Sequence, residues 1–248
     1  MNELTNGATI IVISNDHQYH TLDDWGLAIG NNNCISEPEM ETKYIDIPGM
    51  DGQLDVSEAL SGRPIYKTRQ INIEVGGIRE RNNWDAVISS MRNSIHGREV
   101  KLIFDNDPSY YWKGRIYITD FDRARRLGTF TLSMPAADPY KYNIQDSGEP
   151  WLWDPFNFLT DSIHDYSSIQ ITGSGTVTIP SGFMPVTPTI MVSNMTSTTF
   201  KVTYKGKTFS LMSGSNYLPE IIINYEDEVK LVFTGTAKVS ILYRGGSL

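Results

Sequence analysis

The sequence predicts a mainly β protein of two domains with a single α-helix, the second domain a β-sandwich. Three observations predict it. In most structured stretches apolar residues recur at every second position, the period of a strand with one buried face. One segment, residues 82–96, has the three-and-four spacing of a helix instead. The composition shifts after Tyr142, which divides the 248-residue chain into domains 1–143 and 144–248.

Taken in order, residues 9–13 (TIIVI) read as a short buried strand and residues 70–75 (QINIEV) alternate polar and apolar. Between them, residues 40–69 form a long stretch rich in turn formers: Pro48, Gly49, Gly52, Gly62 and Pro64. Exposed-type residues such as Glu41, Lys43, Asp46, Asp51 and Glu58 are interleaved there with Ile45, Ile47, Leu54, Val56 and Leu60. Loops beyond about 12–15 residues are usually functional or disordered, and this alternation argues against disorder. The stretch is therefore expected to be an extended hairpin arm, the alternative being an ordinary hairpin folded back on its own sheet. In the helical segment, Trp84, Val87, Ile88, Met91 and Ile95 make one stripe. Asn82 or Asn83 can cap its start, and Gly97 suits the left-handed position past its end. Residues 115–119 and 128–132 alternate again.

Residues 144–167 mix turn residues with bulky aromatics and have no clear period. Trp151, Trp153, Phe156 and Phe158 fall here and are expected to pack at the domain junction rather than stack on sugars. Beyond them, residues 177–179, 189–192, 200–204, 221–223, 229–233 and 238–243 all read as strands. Lys205-Gly206 and Gly235-Thr236 look like hairpin turns. Short strands at such intervals suit a sandwich.

Composition narrows the function. The 40% of hydrophobic residues suffices for a core. A net charge of −8 repels phosphate and argues against a nucleic-acid reader. The lone Cys34 can make no intramolecular disulfide, lacks any feature that would activate it, and is expected in the core. His17 and His20 are expected in a solvated turn, with no third ligand to make a metal site. Asp105-Asn106-Asp107-Pro108 lacks the glycine and the later glutamate of a calcium loop and reads as a turn. Nucleophile elbow, phosphate loop and dinucleotide fingerprint are all missing. No apolar run reaches membrane-spanning length, and the start lacks the features of a signal peptide, so a soluble chain is expected. Catalytic, metal, cofactor and sugar-binding residues are assigned to none.

One ordered run of motifs goes further. YIDIPGMDGQLDVS (44–57), GRPIY (62–66), the helix with Trp84, IHGR (95–98), YYWKGRI (110–116) and ADPYKY (137–142) follow one another in this chain. The run resembles the distal tail protein (Dit) family of long, non-contractile-tailed phages, over roughly residues 10–143. The resemblance implies an N-terminal β-sandwich with one helix and an extended arm, followed by a galectin-like C-terminal sandwich. It also implies a six-fold ring at the virion tail tip, built from protein made in the bacterial cytoplasm. Implied partners are further copies of the chain, the tail tube protein, a tail-associated hub or lysin protein and receptor-binding adhesins. DNA would pass only in transit through the central channel, and no membrane insertion is implied. The arm residues Ile45, Ile47, Pro48, Gly49, Asp51, Gly52, Leu54, Asp55 and Val56 become the expected oligomer contacts. A rival reading is a carbohydrate-binding adhesion module for a cell-wall saccharide. No Trp follows Trp153, so Tyr204, Tyr217, Tyr225 or Tyr243 would have to supply its stacking ring.

Overall fold

A computed structural model of the chain describes residues 6–31, 33–78, 84–123, 127–147, 166–225 and 227–248. The chain divides into two compact units, Met1–Asp107 with Tyr111–Lys141, and Pro108–Tyr110 with Tyr142–Leu248.

The first unit is built from β1 (Ala8–Val12), β2 (His17–His20), β3 (Ala28–Ile29), β4 (Cys34–Ile35), β5 (Tyr44–Asp46), β6 (Gln53–Asp55), β7 (Arg69–Ile78), α1 (Trp84–Ser94), β8 (Glu99–Phe104), β9 (Tyr110–Arg115), β10 (Tyr117–Arg123) and β11 (Leu127–Ala137). Strands β2, β1, β8 and β9 lie side by side, and a second sheet has the order β10-β11-β7-β3, with β4 also on β7. Alternation decides what each sheet buries. Ile10, Val12, Val100 and Leu102 from one sheet meet Ile71, Ile73, Val75, Phe130 and Leu132 from the other in a single core. The helix adds Trp84 and Met91 to that core, and Ile95 follows just past its end. Asp85 in its first turn and Arg92 in its last complement the helix dipole. Gly97 follows with φ 73°, and its N–H donates to the Ile116 carbonyl at 2.7 Å. The expected caps Asn82 and Asn83 lie outside the described residues. Trp84 needs the space over Gly128, where a Cβ would fall 2.6 Å from the indole ring.

The second unit contains most of β12 (Lys141–Asn143), then β13 (Ile169–Ile171), β14 (Ser174–Ile179), β15 (Thr189–Ser193), β16 (Phe200–Tyr204), β17 (Lys207–Leu211), β18 (Gly214–Tyr217), β19 (Val229–Thr234), β20 (Ala237–Leu242) and β21 (Gly246–Ser247). Its two four-stranded sheets run β13-β20-β15-β18 and β14-β19-β16-β17. They share one core, to which Ile190, Val239 and Ile241 contribute from the first, and Val202, Leu231 and Phe233 from the second. The Phe200 and Phe233 rings stack at 5.7 Å. Lys205 and Gly206 both have positive φ, 45° and 79°, as a two-residue type I′ hairpin requires. Near the end of the chain Arg244 donates to the carbonyls of Asn143 and Ile144, and Asn143 N–H donates to Gly245 O at 2.9 Å.

The expected mainly β fold with one helix is present. Two strand expectations need correction. The alternating run 115–119 is two strands, not one: β9 ends at Arg115, Ile116 is fully buried between them, and β10 begins at Tyr117 in the other sheet. The alternation continues through the crossing because Ile116 and Ile118 face the same core. Residues 221–223 form no strand: Ile223 makes only a bridge to Val186, and Ile221 and Ile223 are buried because they join the core that the two sheets share, while Ile222 between them is exposed.

Candidate assembly interface

The stretch between β4 and β7 leaves the second sheet as a ribbon. At its root, Ser36 N–H donates to Gln70 O at 2.9 Å and Lys67 N–H to Glu39 O at 2.8 Å. Met40 and Tyr66 form a bridge, and Glu41 N–H donates to Ile65 O at 2.8 Å. Farther out the outgoing strand changes partner: Tyr44 pairs with Asp55, Ile45 with Leu54 and Asp46 with Gln53. Among the described residues, β5 and β6 pair with no other strand.

Local chemistry explains each bend. Met50 N–H donates to Ile47 O at 3.1 Å, closing a turn with Pro48 at its second position and Gly49 at its third. Gly49 has φ 84°, which a type II turn demands there. Asp55 accepts from Ser57 Oγ at 2.5 Å and Ser57 N at 2.9 Å, and these bonds hold its carboxyl below the usual carboxylate range. Ser57 Oγ in turn accepts from Lys43 N–H at 2.8 Å. Gly62, with φ 65°, donates to Glu58 O at 2.7 Å and ends the turn that carries Leu60.

Directly paired residues share a face of an antiparallel ribbon. One face therefore carries Ile45 and Leu54, joined by Ile47 and Val56 two residues on. The other carries Tyr44, Asp46, Gln53 and Asp55, where Gln53 Nε2 donates to Asp46 Oδ1 at 2.9 Å. The polar face bonds within itself, whereas on the apolar face Ile45 is 44% exposed, Ile47 40% and Leu54 43%, with Val56 half-buried; Leu60, in the turn beyond, is 98% exposed. An isolated two-stranded hairpin is marginal in water. Covering each half-exposed aliphatic side chain would contribute on the order of 1 kcal/mol.

The root is anchored by a residue that sequence reading overlooked. Arg69 is 7% exposed. Its Nε donates to Ser36 O at 2.7 Å and its Nη1 to Pro139 O at 3.4 Å, while the guanidinium lies 4.8 Å from the Trp112 ring centre. Burial pulls its pKa down, partly offset by Glu37. The Tyr66 ring meets Tyr140 edge-on at 6.0 Å. These contacts join residues far apart in sequence, from 33 positions for Arg69 and Ser36 to 70 for Arg69 and Pro139 and beyond that for Tyr66 and Tyr140, and no local signal joins them.

A known structure shares this architecture. The crystal structure of the SPP1 Dit (gp 19.1) protein, presented as a paradigm of hub adsorption apparatus in Gram-positive infecting phages, matches with a TM-score of 0.60 and 13% identity, covering 96% of this chain and 98% of that one. The chain has the Dit fold. The phage P2 baseplate in its activated conformation with Ca also matches, with a TM-score of 0.45 and 9% identity over 98% of this chain and 99% of that one. A chain of the native gene transfer agent virion gives a TM-score of 0.29 and 14% identity over 56% of this chain and 97% of that one. No protein-family model matches the sequence, and no curated protein matches it.

Within this Dit fold the other expected features fall as follows. All nine expected arm residues, from Ile45 to Val56, lie on the ribbon. Trp151, Trp153, Phe156 and Phe158 lie outside the described residues. Cys34 is exposed in β4, not in the core: that strand has two residues, both exposed, paired only to β7 among the described residues. His17 and His20 are in β2 rather than a turn. His20 Nδ1 lies 3.1 Å from Asp23 Oδ2 and Nε2 3.1 Å from Asp105 Oδ1, ties that hold the strand end to the start of the Asp105 turn. Among the described residues no three metal-ligating side chains cluster. Of the four tyrosines that might serve a sugar, Tyr204 is buried at 8%, and Tyr243 is half-buried with its phenol pushed strongly up by burial, then by Tyr166 and Asp146. Tyr217 and Tyr225 are exposed.

Proposed function

We propose that the protein is a structural hub of a phage tail tip, in which copies of the chain close into a six-fold ring through the arm. The observation that carries this reading is the uncovered apolar face of the ribbon, Ile45, Ile47 and Leu54, on a chain with the Dit fold. Residues 36–48 extended at roughly 3.3 Å each reach about 40 Å. A domain of some 140 residues has a radius of gyration of about 14 Å, so such an arm spans a neighbouring copy. Arm to neighbour is a head-to-tail contact, and repeated rotation closes it into a ring. The ring would join the tail tube to a hub or lysin protein and to receptor-binding adhesins, the C-terminal sandwich serving as the docking module. DNA would leave through its channel.

The test shortens the arm between Pro48 and Arg63 with an Asn-Gly turn. The native chain, alone or with its tail neighbours, is expected to show six-fold rings by electron microscopy. The shortened chain is expected to keep its circular dichroism and lose the rings. Rings that survive the deletion would place the interface on another element.

A further inference from the structure

The charge of this chain is unevenly shared. Residues 166–248 carry six Lys and Arg against four Asp and Glu, whereas residues 1–165 carry 15 against 25. The four acids of the C-terminal stretch are Glu220, Glu226, Asp227 and Glu228, all between strands, so β13 to β20 contain no carboxylate. Three lysines stand on strands of one sheet, Lys201, Lys207 and Lys230, and Lys205 stands in its hairpin turn.

Register places the outward residues of that sheet in rows. Lys201 faces Ser210 on one side and Thr234 on the other, and Thr234 faces Ser174. In the next row Thr203 faces Thr208 and Val232, and Val232 faces Thr176. Lys230 pairs with Thr178 beyond them, on the strand beside the Lys205 turn. Lys201, Lys205, Lys230, Thr176 and Thr208 are all exposed. Only Glu228 offsets these charges among the described contacts, 3.7 Å from Lys230 Nζ. Lys205 Nζ rests 5.5 Å from its neighbour's ring at Tyr204.

We infer that this outer face, on β14, β19, β16 and β17, binds a linear polyanion of the phosphodiester-linked polyol or sugar class. Lys201 and Lys230 are four residues apart in register, about 13 Å along the strands, so one phosphate cannot engage both and a chain of phosphates can. Between them the Thr203 and Thr208 hydroxyls bond each other at 2.9 Å, which uses one of their two hydrogens and leaves the other, with spare lone pairs and the exposed Thr176 hydroxyl, for a polyol backbone. A protein partner is disfavoured by composition: interface cores are enriched in aromatics, Met and Arg and depleted in Lys and Ser, and here Val232 is the one apolar residue of the rows. A single-stranded nucleic acid is disfavoured because the rows offer no ring for base stacking. Recognition here is by charge and hydroxyl, and needs none of the stacking tyrosines of a neutral-sugar site.

The experiment titrates the full chain with poly(glycerol phosphate) by calorimetry at two salt concentrations, beside neutral dextran and a single-stranded oligo(dT). Native protein is expected to bind the polyphosphate saturably at low ionic strength and more weakly as salt rises, through counterion release. The triple variant Lys201→Glu, Lys205→Glu, Lys230→Glu is expected to lose at least about tenfold, equivalent to 1.4 kcal/mol. The milder triple exchange to Gln should lose less, and Lys238→Glu on the opposite sheet should lose nothing, with circular dichroism unchanged in each. No saturable binding by the native chain, or equal binding by the Glu triple, would overturn the assignment. So would dextran binding of equal strength, or oligo(dT) bound as tightly through the same lysines.

Discussion

Two stretches of this chain alternate apolar and polar residues with equal regularity and end in opposite environments. In β19, Val229, Leu231 and Phe233 are buried, only 2%, 0% and 0% exposed. On the arm, Ile45, Ile47 and Leu54 keep about two-fifths of their surface in water. The difference lies in what stands opposite. Strand β19 faces a second sheet of its own unit, whereas the arm has left its sheet and faces nothing described. Period two thus tells which face of a strand is apolar and leaves open whose surface covers it. A covered face stabilises the fold; an uncovered one is an offer to another chain.

The largest test of this contrast is Phe233→Ala. It should destabilise the second unit by about 3–5 kcal/mol, read from denaturant unfolding of the full chain. Next comes Arg69→Ala, which leaves the Ser36 and Pro139 carbonyls without their charged donor and strips packing from Trp112. A cost of about 1.5–3 kcal/mol is expected, concentrated at the arm root and visible as faster amide exchange over residues 36–47 and 65–70. Far smaller is Leu54→Ala on the unassembled chain, within about 0.5 kcal/mol, because little cover is lost. A cost like that of Phe233→Ala would show the arm folded onto its own unit and break the comparison.

The smallest effect concerns pH. Bonds from Ser57 depress the Asp55 carboxyl in the folded arm. Their contribution is therefore present above the unfolded carboxylate value, about 3.9, and is lost as pH falls through the lower folded value. The Ser57 amide resonance should report that transition below the usual aspartate range, and Asp55→Asn should remove it.

Much of this was legible in the sequence, for reasons that differ by element. Strands β7, β14, β16 and β19 show themselves because each packs one face on a core wide enough to hold several alternations. Helix α1 shows itself by its stripe, and the turns at Gly49, Gly97 and Gly206 by the residue that positive φ demands. The short strands β2, β17 and β18 were unreadable: HQYH, KTFSL and GSNY carry few apolar residues, and long-range pairing rather than propensity makes them strands. Residues 221–223 misled for the converse reason: Ile221 and Ile223 fill the core and Ile222 faces water, the alternation of a strand, without a partner strand to pair with beyond one bridge. For the interface, the alternation of residues 44–56 was visible, but which face lacks cover was not. Arg69 was invisible too, because a buried cation is defined by partners that only the fold assembles.

The central claim, that the uncovered arm face is what joins one copy to the next, is tested most directly by solution mass. Light scattering should compare the native chain with Ile45→Asp, Ile47→Asp, Leu54→Asp, alone and with tube and hub proteins. The account predicts a native ring of about 167 kDa, six times the 27.9 kDa chain. It predicts that the triple variant stays at 27.9 kDa with an unchanged β signal. A variant that assembles like the native chain, or a native chain that stays monomeric at high concentration with its tail neighbours present, would contradict it.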